Sequence, residues 1–353
     1  MLLSVMALIL SAGICLRRTL SQRAQIIASV CLLGGVVVCF AGAMGNHAMG
    51  TAFSGPAFAR GHTKLGGVMT VFGLAPWAFV GFESISHASA EAKFPLKRAF
   101  RIMAVSLAMA AAAYILLVIL ASSAFPEDCA DWSDYVANLS GYAGIASQPT
   151  FFAARAALGK GGSVILGIAA ICAILTGIVG NYIALSRLIC TLSGDGMLPG
   201  WLGQLDDHHV PKRALLAITL VSLPFPFLGR TAISWIVDVT TVGATIAYAF
   251  TSACAWKTGR QEGKWRMKLT GLLGLVISLL FGLEFLIPNI ISVTTLSTES
   301  YLILASWGIL GFAVFCLLMR KDTQHCLGHS IVVWLVLLGL IIFTSSVWMR
   351  QAT

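Results

Sequence analysis

The chain has 353 residues, of which 58% are hydrophobic and only 10% are charged, and its mean hydropathy is +0.88. A soluble domain carries roughly 25% charged residues, and no chain of this length can bury so much apolar surface in one or two cores. The composition therefore excludes a soluble enzyme, a nucleic-acid-binding protein and a disordered scaffold. The net charge of +9 fits the basic loops of a membrane protein, and we predict an all-α, polytopic protein in the lipid bilayer.

Ten apolar stretches are candidates for membrane-spanning helices, because a helix needs about 20 apolar residues to cross the hydrocarbon core. The first and the sixth are short, and the sixth contains Pro224 and Pro226. Gly34–Gly35 and Gly167 with Ala170 are predicted to let helices approach closely. In chain order, the predicted spans are 1–16, 24–44, 67–90, 99–123, 162–190, 214–229, 232–256, 269–291, 301–319 and 330–349.

Lys and Arg are distributed unevenly between the alternating loops that these spans define. One set of loops contains 17 of the 23 basic residues, and the other set contains 6. Because basic residues are retained on the cytoplasmic side, the first set is predicted to be cytoplasmic. Both termini and the long polar segment at about 124–161 are then predicted to lie outside.

The third span contains residues that disfavour one continuous helix. Pro76 removes a backbone donor, Gly81 tolerates dihedral angles that other residues avoid, and Glu83 places a carboxylate at membrane depth. This combination predicts a broken helix, which a membrane permits only where the freed backbone lines a cavity, as at the binding sites of transporters. A proline kink with Glu83 bonded to a neighbouring helix is equally compatible with the local chemistry.

The remaining polar residues in apolar surroundings give no sign of catalysis. Asp238 and Glu284 lie near outer helix ends and are interpreted as interhelical or snorkelling residues rather than coupling sites. His208–His209, beside Asp206–Asp207, is interpreted as a solvated turn, and there is no Gly-Lys-Ser loop that would cradle a phosphate. We therefore predict no metal, no cofactor and no catalytic residue.

Two long stretches of the chain resemble the amino acid–polyamine–organocation permease superfamily. The first, Trp-Ala-Phe-Val-Gly-Phe-Glu-Ser at 77–84, continues to Ala99 and is similar to the sixth helix of the family and the basic loop after it. The second begins with Gly-Asn-Tyr-Ile-Ala-Leu-Ser-Arg at 180–187 and is similar to the end of the eighth helix and the loop to the ninth. Residues 242–248 resemble the tenth helix.

The resemblance implies a fold of two inverted five-helix repeats, with a central site between broken helices one and six. If residues 67–90 are helix six, the first three helices of the family are missing, and the fold is N-terminally incomplete. Residues 1–353 then form one transmembrane domain. Its implied parts are 1–44 (helices four and five of the first repeat), 67–256 (the second repeat) and 269–349 (C-terminal helices).

The resemblance also implies a binding site for a small-molecule substrate. Backbone carbonyls at the break would accept the substrate ammonium group, the indole of Trp77 would wall or gate the pocket, and the amide of Asn181 would bond to the substrate. Membrane packing of Trp77 and interhelical hydrogen bonding of Asn181 are the alternatives. The implied substrate-binding residues are Trp77, Ala78, Val80, Gly81 and Asn181.

The coupling mechanism is left open by the sequence. The resemblance implies that Glu83 holds the broken segment or responds to protons. Some members of the family carry a lysine in helix five in place of a sodium ion, but the run from Ile26 to Phe40 contains no charged residue. Proton symport and exchange therefore both stay open, as does the oligomeric state.

The leading hypothesis is a secondary active amino acid transporter of the cell membrane that works by alternating access. Neutral amino acids are favoured, because Glu83 is the only acid predicted to line the cavity; cationic amino acids or polyamines are the runner-up substrates. The alternative is a non-transporting remnant or subunit, because the implied loss of helix one removes half of the family's site. An intramembrane enzyme that uses Glu83 or Asp238 with a histidine is the least favoured hypothesis.

Overall fold

A computed structural model of the chain describes residues 2–45, 68, 72, 75–87, 95, 98–229, 231–286, 296–320 and 330–352. Six of the helices in these ranges are long and apolar enough to cross a membrane, and Leu2–Cys15 and Ile331–Phe343 are shorter apolar helices. All regular secondary structure in the described ranges is helical. The predicted all-α, polytopic membrane architecture is therefore confirmed.

The chain divides into two compact units, and the first comprises residues 1–67 and 81–227. The long helix Pro149–Gly194 is the central element of this unit, because five other helices pack against it. The helices are α1 (Leu2–Cys15), α2 (Arg18–Gly45), α3 (Ser84–His87), α4 (Ala99–Ser122), α5 (Trp132–Ala137), α6 (Pro149–Gly194) and α7 (Lys212–Ser222).

Small residues bring α2 and α6 into close contact. A Cβ added at Gly35 would lie 2.8 Å from the Cβ of Ala169, and one added at Gly42 would lie 2.6 Å from the side chain of Leu158. The predicted approach at Gly35 is thus confirmed, whereas Gly34 faces open space. At Gly167 the predicted close approach of helices is not observed, since an added Cβ there would meet only the ring of Phe151 at 3.9 Å.

The helix α6 begins at Pro149, well before the predicted start at residue 162. Gly159 interrupts it with φ 63° and ψ −149°, and a Cβ added at Gly162 would lie only 2.0 Å from the carbonyl oxygen of Ala154. The ten residues before the kink therefore fold closely against the turn after it. Arg155 and Lys160 lower the hydropathy of this stretch, which is why the sequence assigned it to a polar loop.

The helix α7 is shorter than the span predicted at 214–229. It ends at Ser222, and a 3-10 turn at Phe225–Phe227 follows. Pro224 has no N–H group with which to continue the helical ladder. With 11 residues, α7 is about 16 Å long, roughly half the thickness of the hydrocarbon core.

The second unit comprises residues 68–80 and 228–353. Its first two long helices form a hairpin in which small residues let the backbones touch: a Cβ added at Gly271 would lie 2.4 Å from the backbone nitrogen of Trp256. The third packs on the first and on the fourth. These helices are α8 (Thr231–Gln261), α9 (Trp265–Leu286), α10 (Thr298–Met319) and α11 (Ser330–Ala352).

Polar side chains join three helices of the second unit. Ser300 on α10 donates its hydroxyl to Oδ2 of Asp238 on α8 at 2.7 Å, and Tyr301 donates to the carbonyl of Phe285 on α9 at 3.3 Å. The interhelical interpretation of Asp238 is therefore confirmed.

Glu284, on α9, does not share this arrangement. It is half-buried, and within the described ranges its Oε1 is inaccessible and has no hydrogen-bond partner. Pro288 and Asn289, its expected neighbours, lie outside those ranges. The interhelical hydrogen bond that the sequence favoured for Glu284 is not observed there.

Adjacent glycines in α6 offer a test of the kink. Gly162→Ala should lower the thermal unfolding midpoint by several degrees, because the new methyl group must displace the backbone of Ala154 at a cost of about 1–3 kcal/mol. Gly161→Ala should not, since a Cβ there meets nothing within 4 Å. Equal midpoints for the two purified variants in detergent would contradict the described packing.

Candidate functional site

The middle of the third predicted span is not one continuous helix. Residues 75–78 are helical, residues 79–83 form turns, and the helix resumes as α3 at Ser84. Gly81 lies within the turns with φ +119°, a conformation that L side chains rarely adopt. The predicted break in the helix is therefore confirmed, and it is centred on the glycine that the sequence singled out.

The carboxylate of Glu83 accepts a hydrogen bond from the backbone of the turn that contains it. The Gly81 amide donates to Oε2 of Glu83 at 2.9 Å, and the Ser84 amide donates to the Gly81 carbonyl at 3.1 Å. On the preceding side, the Val80 amide donates to the Trp77 carbonyl at 3.2 Å. Glu83 thus pairs an amide that no longer belongs to a helical ladder, which supports a role in holding the broken segment.

The two halves of the broken helix are supported by different helices. In the second unit, Phe72 stacks on Phe281 of α9, with ring centroids 4.8 Å apart and an interplanar angle of 25°. In the first unit, α3 packs against α4 and α6. The chain passes from one unit to the other between Val80 and Gly81, inside the break. In the sequence, the i, i+4 spacing of Phe281 and Phe285 indicates that these two rings lie on the same face of a helix. It does not indicate that Phe72 stacks on Phe281.

The other implied substrate-binding residues are accessible. The side chains of Trp77 and Val80 are 45% and 37% exposed, and Ala78 between them is half-buried. Asn181 is exposed on α6, and its Nδ2 donates to the carbonyl of Gly177 one turn earlier at 3.0 Å. Trp77, Ala78 and Val80 form one continuous stretch of the second unit, whereas Gly81 and Asn181 belong to the first.

Asp206 organises the loop between α6 and α7, which is predicted to be cytoplasmic. Its carboxylate accepts the Val210 amide at 2.8 Å and the His208 amide at 2.9 Å, and Nζ of Lys212 lies 2.9 Å away. The hydrogen bond from Lys212, supported by these amides, lowers the pKa of Asp206 to about 2. His208 is exposed, and Asp206 holds the backbone around it in a turn.

Two substitutions separate the roles of the Glu83 carboxylate. Glu83→Ala removes the acceptor of the Gly81 amide, so hydrogen exchange of residues 79–86 should become about tenfold faster, which corresponds to the loss of one hydrogen bond of roughly 1.4 kcal/mol. Glu83→Gln keeps an amide oxygen at the same position and should retain most of the protection. Exchange measured by mass spectrometry that is unchanged in Glu83→Ala would contradict the described contact.

The Asp206 carboxylate should also impose a definite pH dependence. Because its pKa falls from 3.8 to about 2 in the folded protein, its stabilising contribution is present above about pH 4 and is lost as the pH falls through about 2. Asp206→Asn should therefore lower the unfolding midpoint by a constant amount at neutral pH, and the difference from the wild type should shrink as the pH approaches 2. A difference that grows on acidification would refute the ion pair.

Comparisons with known proteins agree with the architecture. The family described as Amino acid permease matches residues 1–315. The thiamine transporter thi9 of Schizosaccharomyces pombe is 29% identical over 178 residues, which cover 47% of this chain and 30% of that protein. The branched-chain amino acid permease BcaP of Lactococcus lactis is 25% identical over 193 residues, which cover 53% of this chain and 37% of that protein.

The matched stretches thus span about a third of the length of these two relatives. The helix α11 lies beyond the residues that the family matches, whereas α1 to α9 lie within them. Since the match covers far more than half of the chain, the protein belongs to the amino acid permease family of the amino acid–polyamine–organocation superfamily and is a multi-pass integral membrane protein.

Proposed function

We propose that the protein is a secondary active transporter that carries a neutral amino acid across the cell membrane. The observation that carries this proposal is the break at residues 79–83, where Gly81 has φ +119° and a carboxylate holds the turn. Family membership and the two permease relatives support it. Transport would proceed by alternating access around the break, as symport or antiport.

The break offers suitable chemistry for the ammonium group of an amino acid. Carbonyl groups at the end of the helical residues 75–78 lie at the break, and the Trp77 carbonyl, which accepts the Val80 amide, has a second lone pair for another donor. The exposed indole of Trp77 adds an aromatic face, which attracts cations. We assign the backbone at Trp77, Ala78 and Val80 to the substrate ammonium group, and Gly81 to the geometry that exposes it.

The occupied carboxylate of Glu83 favours neutral amino acids as substrates. Its Oε2 accepts the Gly81 amide, so it is already engaged and is not set aside to pair with a second positive charge on a substrate. The relative BcaP is a branched-chain amino acid permease, which points to the same class. We keep Asn181 as a proposed substrate-binding residue; in this structure its Nδ2 donates to the Gly177 carbonyl one turn earlier.

Two other substrate classes follow from particular observations. The thiamine transporter thi9 is 29% identical to this chain over the matched residues, and the exposed face of Trp77 suits an organic cation. Thiamine, and cationic amino acids or polyamines, are therefore the competing substrates. A non-transporting subunit is the competing function, because the matched stretches cover only 30% and 37% of the relatives.

The carboxylate of Glu83 also provides a route to proton coupling. An ionised carboxylate is a stronger hydrogen-bond acceptor than a protonated carboxyl group. Proton binding would therefore weaken its hold on the Gly81 amide and loosen the break, whereas proton release would tighten it. In an antiporter the same residue would act as a gate without net proton movement.

Matched glycine substitutions test whether the break is required for transport. Neither Gly81 nor Gly34 has an atom within 4 Å of an added Cβ, and only Gly81 has a positive φ. Gly81→Ala should therefore cost about 1–3 kcal/mol of backbone strain and reduce uptake of labelled leucine into proteoliposomes at least tenfold. Gly34→Ala, in the regular helix α2, should transport at the wild-type rate, and equal uptake by both variants would remove the break from the mechanism.

A second pair of variants tests the aromatic wall. Trp77→Ala should raise the apparent KM for leucine about tenfold or more, because it removes a large contact surface and a cation-attracting face. Trp265→Ala, which alters an exposed side chain at the start of α9, should leave the KM unchanged. Competition by unlabelled valine, lysine and thiamine identifies the substrate class. A wild-type chain that takes up none of them would favour the non-transporting subunit.

A further inference from the structure

An apolar groove of about 440 Å³ lies between three helices of the second unit. The helices α8, α10 and α11 provide its walls, and every lining side chain is apolar. The helix α11 lies beyond the residues matched by the family, so one wall of the groove belongs to a part of the chain that the family match does not reach. Its lining includes Ile246 and Phe250 of α8, Leu304 and Phe315 of α10, and Val333 and Ile341 of α11.

The groove ends close to the side of the membrane predicted to be cytoplasmic. Phe315 lies four residues before the end of α10 at Met319, and Val333 lies three residues after the start of α11 at Ser330. At 1.5 Å per residue, both are about 5 Å from the ends of their helices. A molecule in the groove therefore reaches the level at which lipid headgroups begin.

Two basic residues lie on the groove-lining face of α8, closer to its C-terminal end. Lys257 and Arg260 follow Ile246 on α8 by 11 and 14 residues, about three and four helical turns, so both lie within roughly 40° of the face that carries Ile246. Both side chains are exposed, and Arg320 at the end of α10 is exposed as well. The ends of α8 and α10 on the side predicted to be cytoplasmic therefore carry exposed positive charges.

The groove is long enough and wide enough for a single hydrocarbon chain. Between Leu304 and Phe315 the groove runs about 16 Å along α10, so a volume of about 440 Å³ corresponds to a mean cross-section of about 27 Å². A hydrocarbon chain with carbon neighbours at about 4 Å fits within it.

We propose that this groove binds one acyl chain of an anionic phospholipid from the cytoplasmic leaflet, with the headgroup phosphate paired to Lys257 and Arg260. Basic residues between transmembrane helices at the cytoplasmic surface recognise anionic headgroups, and the apolar walls supply the burial that holds the chain. Trp334 fixes the far wall, because its ring lies 2.6 Å from a Cβ added at Gly311 and 6.1 Å from the ring of Phe315. The site does not depend on the proposed transport function.

Native mass spectrometry of the full chain, extracted from vesicles of phosphatidylcholine with phosphatidylglycerol, tests the headgroup contact. The wild type should retain about one phosphatidylglycerol in preference to phosphatidylcholine. Each basic residue contributes about a fivefold preference, so Lys257→Gln with Arg260→Gln should reduce phosphatidylglycerol retention about 25-fold. Arg266→Gln with Lys268→Gln removes the same charge from α9, which does not line the groove, and should retain the lipid.

A matched glycine pair tests the acyl-chain site. Gly308 lines the groove, and a Cβ there would lie 3.3 Å from Leu338, whereas a Cβ at Gly339 meets nothing within 4 Å. Gly308→Leu should abolish lipid retention, and Gly339→Leu should not. Equal retention of the two phospholipids by the wild type, equal loss in the two charge variants, or lipid-free dimers in which a second copy covers the groove would each overturn the proposal.

Discussion

Every peptide group inside the hydrocarbon core needs a hydrogen-bond partner, and this requirement shapes the segment around Gly81. The turn at residues 79–83 interrupts the helical ladder, so the groups released there must be paired in another way or face a polar guest. The carboxylate of Glu83 pairs one of them, the Gly81 amide. At this position the acid, the positive φ and the broken helix therefore support one another.

The three acidic residues of the predicted spans illustrate how context decides the role of a charged group. Glu83 is bound to the backbone of its own turn, and Asp238 accepts a hydroxyl from another helix. Glu284 has an inaccessible oxygen with no partner in the described ranges. Because burying a carboxylate is costly in each case, the sequence correctly identifies all three as special. The identity of the partner depends on which helices meet, and that is a property of the tertiary structure.

The sequence predicts those parts of the fold that depend on local chemistry. The spans at 24–44, 99–123 and 232–256 correspond to α2, α4 and α8 to within six residues at each end, because hydropathy alone defines them. The break at Gly81 is also local, since it follows from a glycine and a nearby proline. The early start of α6 at Pro149 escaped prediction, because Arg155 and Lys160 make the stretch polar although it is helical. The contact between Phe72 and Phe281 joins residues far apart in the chain, and only packing determines it.

The kink at Gly159 divides α6 into two segments. A straight helix of 46 residues would be about 69 Å long, more than twice the thickness of the hydrocarbon core. A residue added between Ala154 and Gly159 would move Ala154 away from Gly162, and the packing of the two segments would be lost. A residue added after Gly162 would rotate Asn181 by about 100° and shift it by 1.5 Å along the helix. The kink therefore doubles α6 back on itself, and the residue spacing on both sides of Gly159 is fixed by contacts.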